Sequence, residues 1–69
     1  MSNKTELYVR STNGRETIFS IQRLASGMWD ARKMESYTSE PEDGVYAEAR
    51  TRKALIAKID ARYDKAESK

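Results

Sequence analysis

Apolar and polar residues alternate along three stretches in the first half of the chain. In the first, ELYVRS, Leu7 and Val9 alternate with Tyr8 and Arg10. The stretches ETIFSIQRL and MWDARKM follow, and the former is rich in β-branched and aromatic residues, which favour strands. Alternation with a period of two is typical of a β-strand that has one buried face. The sequence therefore predicts three strands over these stretches.

Turn signals separate these stretches. Asn13–Gly14 is the strongest short hairpin signal, and Ser26–Gly27 has the same role before the third stretch. Pro41 and Asp43–Gly44 lie in a longer polar loop. The stretch VYAEAR after this loop predicts a fourth strand. One side of that strand carries Val45, Ala47 and Ala49, and the other carries Tyr46, Glu48 and Arg50.

The loop length of each hairpin decides which side chains share a face of the sheet. A three-residue loop with glycine in its third, left-handed position favours the pairing of Leu7 with Phe19. A two-residue loop at Asn13–Gly14 would instead place Val9 beside Ile18 and divide the large apolar residues between the faces. We therefore expect three-residue loops in both hairpins. The expected core face carries Leu7, Val9, Phe19, Ile21, Trp29 and Ala31, and the opposite face carries Tyr8, Arg10, Ile18, Ser20, Gln22, Asp30, Arg32 and Met34.

The last third of the chain has the pattern of an amphipathic helix. Thr51 is a good N-cap, and the residues after it include neither glycine nor proline. The apolar residues Leu55, Ile59 and Tyr63 recur at helical spacing, with Ile56 and Ala66 beside them. A single long helix that starts near Pro41 fits a similar spacing and is the alternative to a fourth strand.

These elements predict a small α+β fold. We expect a three- to four-stranded antiparallel meander with one C-terminal helix packed on one face, in the order β-β-β-(β)-α. The 69 residues form a single domain, with the sheet over about residues 5–50 and the helix over about residues 52–66. Trp29, the single tryptophan, is expected at the centre of the core between sheet and helix.

The composition argues against an enzyme. The chain contains no histidine and no cysteine, which removes the commonest general base and the usual thiolate metal ligands. Its glycines stand singly at turns, so no phosphate-binding glycine loop is present. The carboxylates Glu40, Glu42 and Asp43 lie in a polar loop and lack the desolvated surroundings that are typical of catalytic carboxylates. We therefore expect no catalytic residue, no metal site and no cofactor.

The first residues lack the apolar run of a signal peptide, and no stretch approaches the length of a membrane span. These observations favour a cytoplasmic protein without a membrane partner. The sequence leaves open whether the chain is a monomer or a homodimer.

Charge is arranged in blocks, although the net charge is only +2. Residues 1–33 and 50–62 are predominantly basic, whereas residues 34–49 carry five acids and no base. A basic, partly aromatic sheet face next to basic helix residues suggests an anion-binding surface. The residues predicted to bind nucleic acid or another partner are Tyr8, Arg10, Gln22, Arg32, Lys33, Arg52 and Lys53.

The residues Gly27, Trp29, Ala31 and Arg32 carry a resemblance to a known class of domain. They are similar to the G-x-W-x-A pattern, followed by a basic residue, of the sheet-plus-helix domains in integrase arm-binding and plant AP2-type DNA-binding proteins. The resemblance covers about two thirds of the chain and implies a sheet face that enters the major groove. It implies base or phosphate contacts for Arg10, Gln22 and Arg32. The dense arginine clusters of those families are missing here.

Two functions follow as hypotheses. The first is a small accessory protein, of the kind common in phage and mobile elements, that binds nucleic acid through the basic sheet face. The alternative is a protein-interaction module, either a regulator of a larger protein or a homodimer. Its contact surface would be the exposed sheet face, with Tyr8, Ile18, Met34 and Tyr46 as the central residues.

Overall fold

A computed structural model of the protein describes residues 5–67 and confirms the predicted α+β fold. Four antiparallel strands in the order β1-β2-β3-β4 form one sheet, and a C-terminal helix packs on one side of it. The long-helix alternative is wrong, since a short strand precedes the helix. The elements are β1 (Thr5–Thr12), β2 (Arg15–Arg23), β3 (Trp29–Met34), β4 (Ala47–Ala49) and α1 (Arg52–Glu67).

The first hairpin differs from the expectation. Thr12 pairs with Arg15, so Asn13–Gly14 forms a two-residue loop, with φ of 54° at Asn13 and 79° at Gly14. Positive φ at both positions is the signature of a type I′ turn, whose twist matches that of the flanking strands. The turn chemistry of Asn-Gly therefore determined the register, at the cost of dividing the apolar residues of β1 and β2 between two faces.

The second hairpin follows the prediction. Leu24 and Met28 close a three-residue loop, in which the Leu24 amide donates to the Met28 carbonyl at 2.7 Å. Gly27 occupies the third loop position with φ of 96°, a conformation that residues with a Cβ avoid.

The two sides of the sheet are called here the helix face, which α1 covers, and the outer face. The register places Leu7 and Val9 on the outer face and Tyr8 and Arg10 on the helix face. The predicted faces of these four residues are therefore wrong. Phe19, Ile21 and Ala31 lie in the core beneath the helix, as expected. On the outer face, the predicted positions of Ile18, Ser20, Gln22, Asp30, Arg32 and Met34 are confirmed by the register.

The core lies between the centre of the sheet and the buried side of α1. Phe19, Ile21, Leu55 and Ile59 are fully buried. Trp29 is only half-buried and packs against this cluster from its margin, so the prediction that it is the central core residue is wrong. The other buried core residues are Ala31, Ala49 and Tyr63.

The helix begins as the sequence predicts. The Ala54 amide donates to the Thr51 hydroxyl at 3.1 Å, and the Leu55 amide donates to the Thr51 carbonyl at 3.0 Å. This N-cap satisfies backbone donors that the first turn leaves without partners. Within residues 5–67, no helix has both the length and the apolar character needed to cross a membrane.

Candidate interaction site

A polar cluster joins the edge strand β1 to the helix. The Tyr8 hydroxyl donates to Asp60 at 2.5 Å, and Arg10 donates to Asp60 at 2.7 Å and to Asp64 at 2.9 Å. The hydrogen bonds to these carboxylates raise the pKa of Arg10, and burial followed by the Asp60 contact raises the pKa of Tyr8. Tyr8 and Arg10 are therefore part of the internal structure, and neither lies on the predicted binding surface.

The same cluster continues towards the hairpin end of β1. The Arg10 guanidinium carbon lies 4.6 Å from the centroid of the Tyr63 ring, and the Tyr63 hydroxyl shares a 2.7 Å hydrogen bond with Thr12. The sequence did contain a signal for this contact. Residues i and i+2 on a strand share a face, as do residues i and i+4 on a helix, and Tyr8/Arg10 and Asp60/Asp64 have these spacings.

Tyr46 is also internal, although it was expected on the outer face. Its ring centroid lies 4.7 Å from that of Phe19, and the Arg62 guanidinium stacks on it at 4.7 Å. Arg62 also donates to the Tyr46 carbonyl. The segment before β4 therefore turns this side chain over the core rather than continuing the alternation of a strand.

Arg32 is the predicted basic residue that does lie on the outer face, but its charge is compensated within the chain. It donates to the carbonyls of Asp43 at 2.8 Å and Glu42 at 3.3 Å, and its Nε lies 3.7 Å from Asp30. Asp30 is 2% exposed, and its Oδ1 has no hydrogen-bond partner. Arg32 therefore holds the loop with its Nη1 and offsets the charge of Asp30, while its buried Nε makes no hydrogen bond.

The remaining predicted residues do not converge on one surface. Gln22 is half-buried on the outer face, whereas Lys33 pairs with Phe19 and is exposed on the opposite side of the sheet. Arg52 donates to Glu6 at 2.6 Å, which raises the pKa of Arg52. Lys53 is exposed in the first turn of the helix.

The outer face instead presents an apolar strip, which the predicted register had obscured. Val9 pairs with Ile18, Ile18 pairs with Met34, and Met34 forms a bridge with Pro41, so one row of positions across the sheet is apolar. Directly opposite residues share a face. We define the outer strip as this row together with its exposed neighbours: Leu7, Val9, Ile18, Met34, Tyr37 and Pro41.

The exposure of the outer strip is highest at its ends. Leu7 is 46% exposed and Tyr37 is 53% exposed, whereas Ile18 is buried. The Tyr37 hydroxyl donates to Glu16 at 3.0 Å, and this hydrogen bond raises the pKa of Tyr37. The structure thus places a large aromatic side chain where it is accessible to a partner.

The charges around the outer strip are mainly negative. Among the described residues of the outer face, the carboxylates Glu16, Asp30 and Glu48 outnumber the cation Arg32. The loop beyond Met34 adds more acids with exposed side chains, namely Glu35, Glu40, Glu42 and Asp43. In the part of the chain that the structure describes, no three of these groups converge as a metal site would require.

No protein-family model, curated protein or solved structure matches this chain, so neither a family nor a function comes from comparison.

Proposed function

We propose that this protein is a protein-interaction module whose outer strip binds an apolar surface with a basic rim on another protein. The observation that carries the proposal is the apolar row Val9–Ile18–Met34 on the outer face, with Tyr37 exposed beside it. Within the outer strip, Leu7, Tyr37 and Pro41 are exposed, Val9 and Met34 are half-buried, and Ile18 is buried. A partly exposed apolar patch favours protein contacts, and Tyr and Met are enriched in such interfaces.

The charges support this proposal over nucleic-acid binding by the sheet. Arg10 is paired with Asp60 and Asp64, and Arg32 is bound by backbone carbonyls beside Asp30. A face with more carboxylates than cations repels phosphates, whereas it attracts lysine and arginine side chains on a protein partner. The acidic loop after Met34 extends this complementarity.

Site-directed photo-cross-linking in the cells from which the chain originates tests the proposal. A photoreactive phenylalanine analogue replaces Tyr37 in one variant and Lys53, on the helix, in another. We expect a discrete adduct from position 37 and none of the same mass from position 53. Met34→Glu should abolish the adduct, whereas Val45→Glu should leave it unchanged because Val45 lies outside the outer strip.

Other results would contradict this assignment. Identical adducts from both positions would show that the outer strip is not the contact surface, and so would an adduct that survives Met34→Glu. If the partner is identified from the adduct, Met34→Glu should weaken its binding by at least about tenfold, as truncation of a central interface residue does. An adduct with twice the mass of the chain would identify the partner as a second copy.

Nucleic-acid binding is a second candidate function, at a different place from the one expected. The first turn of α1 carries Arg52 and Lys53 and no acidic residue, and Arg50 precedes it. Cations at a helix N-terminus oppose the helix dipole and cost stability, so their presence favours a role in anion binding. The structure pairs Arg52 with Glu6, which leaves Arg50 and Lys53 as the main candidates for phosphate contacts.

An NMR titration with a short mixed-sequence DNA duplex tests this second candidate. We expect amide shifts at Arg50 and Lys53 at low salt that fade near physiological salt, because phosphate contacts release counterions. The Gln22 and Arg32 amides should remain unchanged. Shifts confined to Gln22 and Arg32 would restore the sheet face as the binding surface, and no shifts at low salt would exclude this candidate.

A further inference from the structure

Strand β1 forms an open edge of the sheet. It occupies one end of the strand order, and all eight of its residues, Thr5–Thr12, pair with β2 without a bulge. Of the usual devices that protect an edge strand, β1 lacks proline, lysine and bulges, and its charged residues Glu6 and Arg10 both lie on the helix face. Among residues 5–67, the backbone hydrogen bonds of β1 run to β2. The other edge, β4, is only three residues long.

The hairpin determines which backbone groups of β1 face outwards. The residues that flank a two-residue loop, here Thr12 and Arg15, form a hydrogen-bonded pair, and such pairs recur at every second position. Tyr8 and Arg10 therefore direct their backbone groups towards β2. The amides and carbonyls of Leu7, Val9 and Ser11 point away from the sheet, ready to pair with another strand.

We infer that two copies of this chain pair through β1, antiparallel, about a two-fold axis at Tyr8. In this register Leu7 lies opposite Val9 of the second copy, and Glu6 lies opposite Arg10 of the second copy. Thr5 lies opposite Ser11. A closed two-fold pairing of this kind forms one continuous eight-stranded sheet with both helices on the same side.

The side chains of β1 select this register over its neighbours. Apolar residues meet apolar residues and hydroxyl residues meet hydroxyl residues. Glu6 and Arg10 meet with opposite signs, although Glu6 already pairs with Arg52 and Arg10 with Asp60 and Asp64 within each chain. A shift of two positions would place Leu7 opposite Ser11 and Glu6 opposite Thr12. It would replace the two Leu7–Val9 pairs by a single Val9–Val9 pair, and a shift in the other direction would leave a single Leu7–Leu7 pair.

The pairing also accounts for an exposed side chain. Leu7 is 46% exposed in the single chain, and the partner strand would cover it with Val9. The contact between two edge strands is small, so the dimer should be weak and dependent on concentration. It uses the backbone edge of β1 together with Leu7 and Val9 of the outer strip, but it is argued from the open edge and does not depend on the proposed function.

Sedimentation equilibrium from about 10 µM to about 1 mM tests the inference, because weak dimers populate within this range. We expect the average mass to rise from one chain towards two. Leu7→Lys should weaken the dimer at least about tenfold, since lysine protects edge strands. Val45→Lys is the matched control, because Val45 is also an aliphatic residue that is 46% exposed and lies far from β1 in the sheet order. A constant monomer mass, or equal weakening by both substitutions, would overturn the inference.

NMR tests the register independently of any substitution. At high concentration, the Leu7 and Val9 amides should gain protection from hydrogen exchange, whereas the Tyr8 and Arg10 amides should be protected at every concentration. In a sample that mixes labelled and unlabelled chains, an NOE should connect the Glu6 and Arg10 α-protons of different copies, because α-protons approach closely in non-hydrogen-bonded pairs. Protection that does not change with concentration, or a dimer without this NOE, would contradict the pairing.

Discussion

Tyr8 and Asp60 are separated by 52 positions in the chain, yet the tyrosine hydroxyl donates to the carboxylate at 2.5 Å. This contact attaches the edge strand β1 to the helix at the margin of the core, against which the Tyr8 ring packs. Leu7 and Val9, the aliphatic residues of β1, face away from the helix. Polar contacts therefore supplement the limited apolar packing between β1 and α1.

The first prediction concerns this hydrogen bond. Tyr8→Phe should lower the free energy of unfolding by about 1 kcal/mol at pH 7, the usual range for a hydrogen bond to a charged acceptor that remains partly exposed. Tyr37→Phe is the control, since it removes a hydroxyl bonded to Glu16 on an exposed residue and should change stability less. Urea unfolding of the three proteins measures the difference. Equal losses in both variants would show that the Tyr8 contact is no stronger than a surface one.

The same residue predicts a pH dependence. Burial and the Asp60 contact raise the pKa of Tyr8 in the folded protein, so the folded state holds this proton more tightly than the unfolded chain does. Its contribution to stability is complete below about pH 10, the usual tyrosine pKa, and is lost as the pH rises through the folded pKa. The unfolding midpoint of wild type should therefore fall more steeply above pH 10 than that of Tyr8→Phe. Parallel curves would contradict the assigned shift.

The second prediction concerns the turn that determined the register. Gly14→Ala should lower the free energy of unfolding by about 1 kcal/mol, because φ of 79° disfavours a residue with a Cβ. Gly44→Ala is the matched control, since a Cβ there meets no atom within 4 Å and no positive φ is recorded for Gly44. It should be neutral or slightly stabilising, because alanine restricts the unfolded chain. Thermal unfolding of both variants provides the comparison.

The Asn13–Gly14 turn decides which side-chain placements could be predicted from the sequence. The strands, the helix and its Thr51 cap follow from local patterns, and the structure confirms them. The face of each β1 residue depends on the loop length, and the hydrophobic pattern favoured three residues where Asn13–Gly14 forms two. This one-residue difference moved Tyr8 and Arg10 from the expected binding surface to the helix face.

The candidate site could be predicted only in part for the same reason. Ile18 and Met34 were correctly placed on the outer face, and both belong to the outer strip. Val9 and Leu7 complete that strip only in the observed register. The hydrogen bonds of Arg32 run to carbonyls of the loop before β4, whose path has no periodic signal in the sequence.

The third prediction concerns the buried acid on the outer face. Arg32→Ala should lower the free energy of unfolding by about 2 kcal/mol, because it leaves the buried Asp30 carboxylate without a cation. The double variant Asp30→Asn/Arg32→Ala should recover part of this loss, since a neutral amide needs no counter-charge. A double-mutant cycle by urea unfolding measures the coupling. Additive losses would show that the 3.7 Å approach of the two groups contributes nothing.

The fourth prediction uses the two ends of the helix. The first turn of α1 carries no acidic residue, and Lys65 lies in the last turn. Lys53→Glu should therefore raise the free energy of unfolding by about 0.5 kcal/mol, because a carboxylate at a helix N-terminus is favourable where a cation is not. Lys65→Glu, the same substitution at the C-terminal end, should lower it by a similar amount. Thermal unfolding at low salt detects both changes, and high salt should reduce them together.

If Lys53→Glu also abolishes the salt-dependent DNA shifts, the cation at the helix start is retained for binding at the expense of stability. If Lys53→Glu destabilises the protein as Lys65→Glu does, then Lys53 has a structural role in the folded chain, and the argument for anion binding at this end of the helix fails.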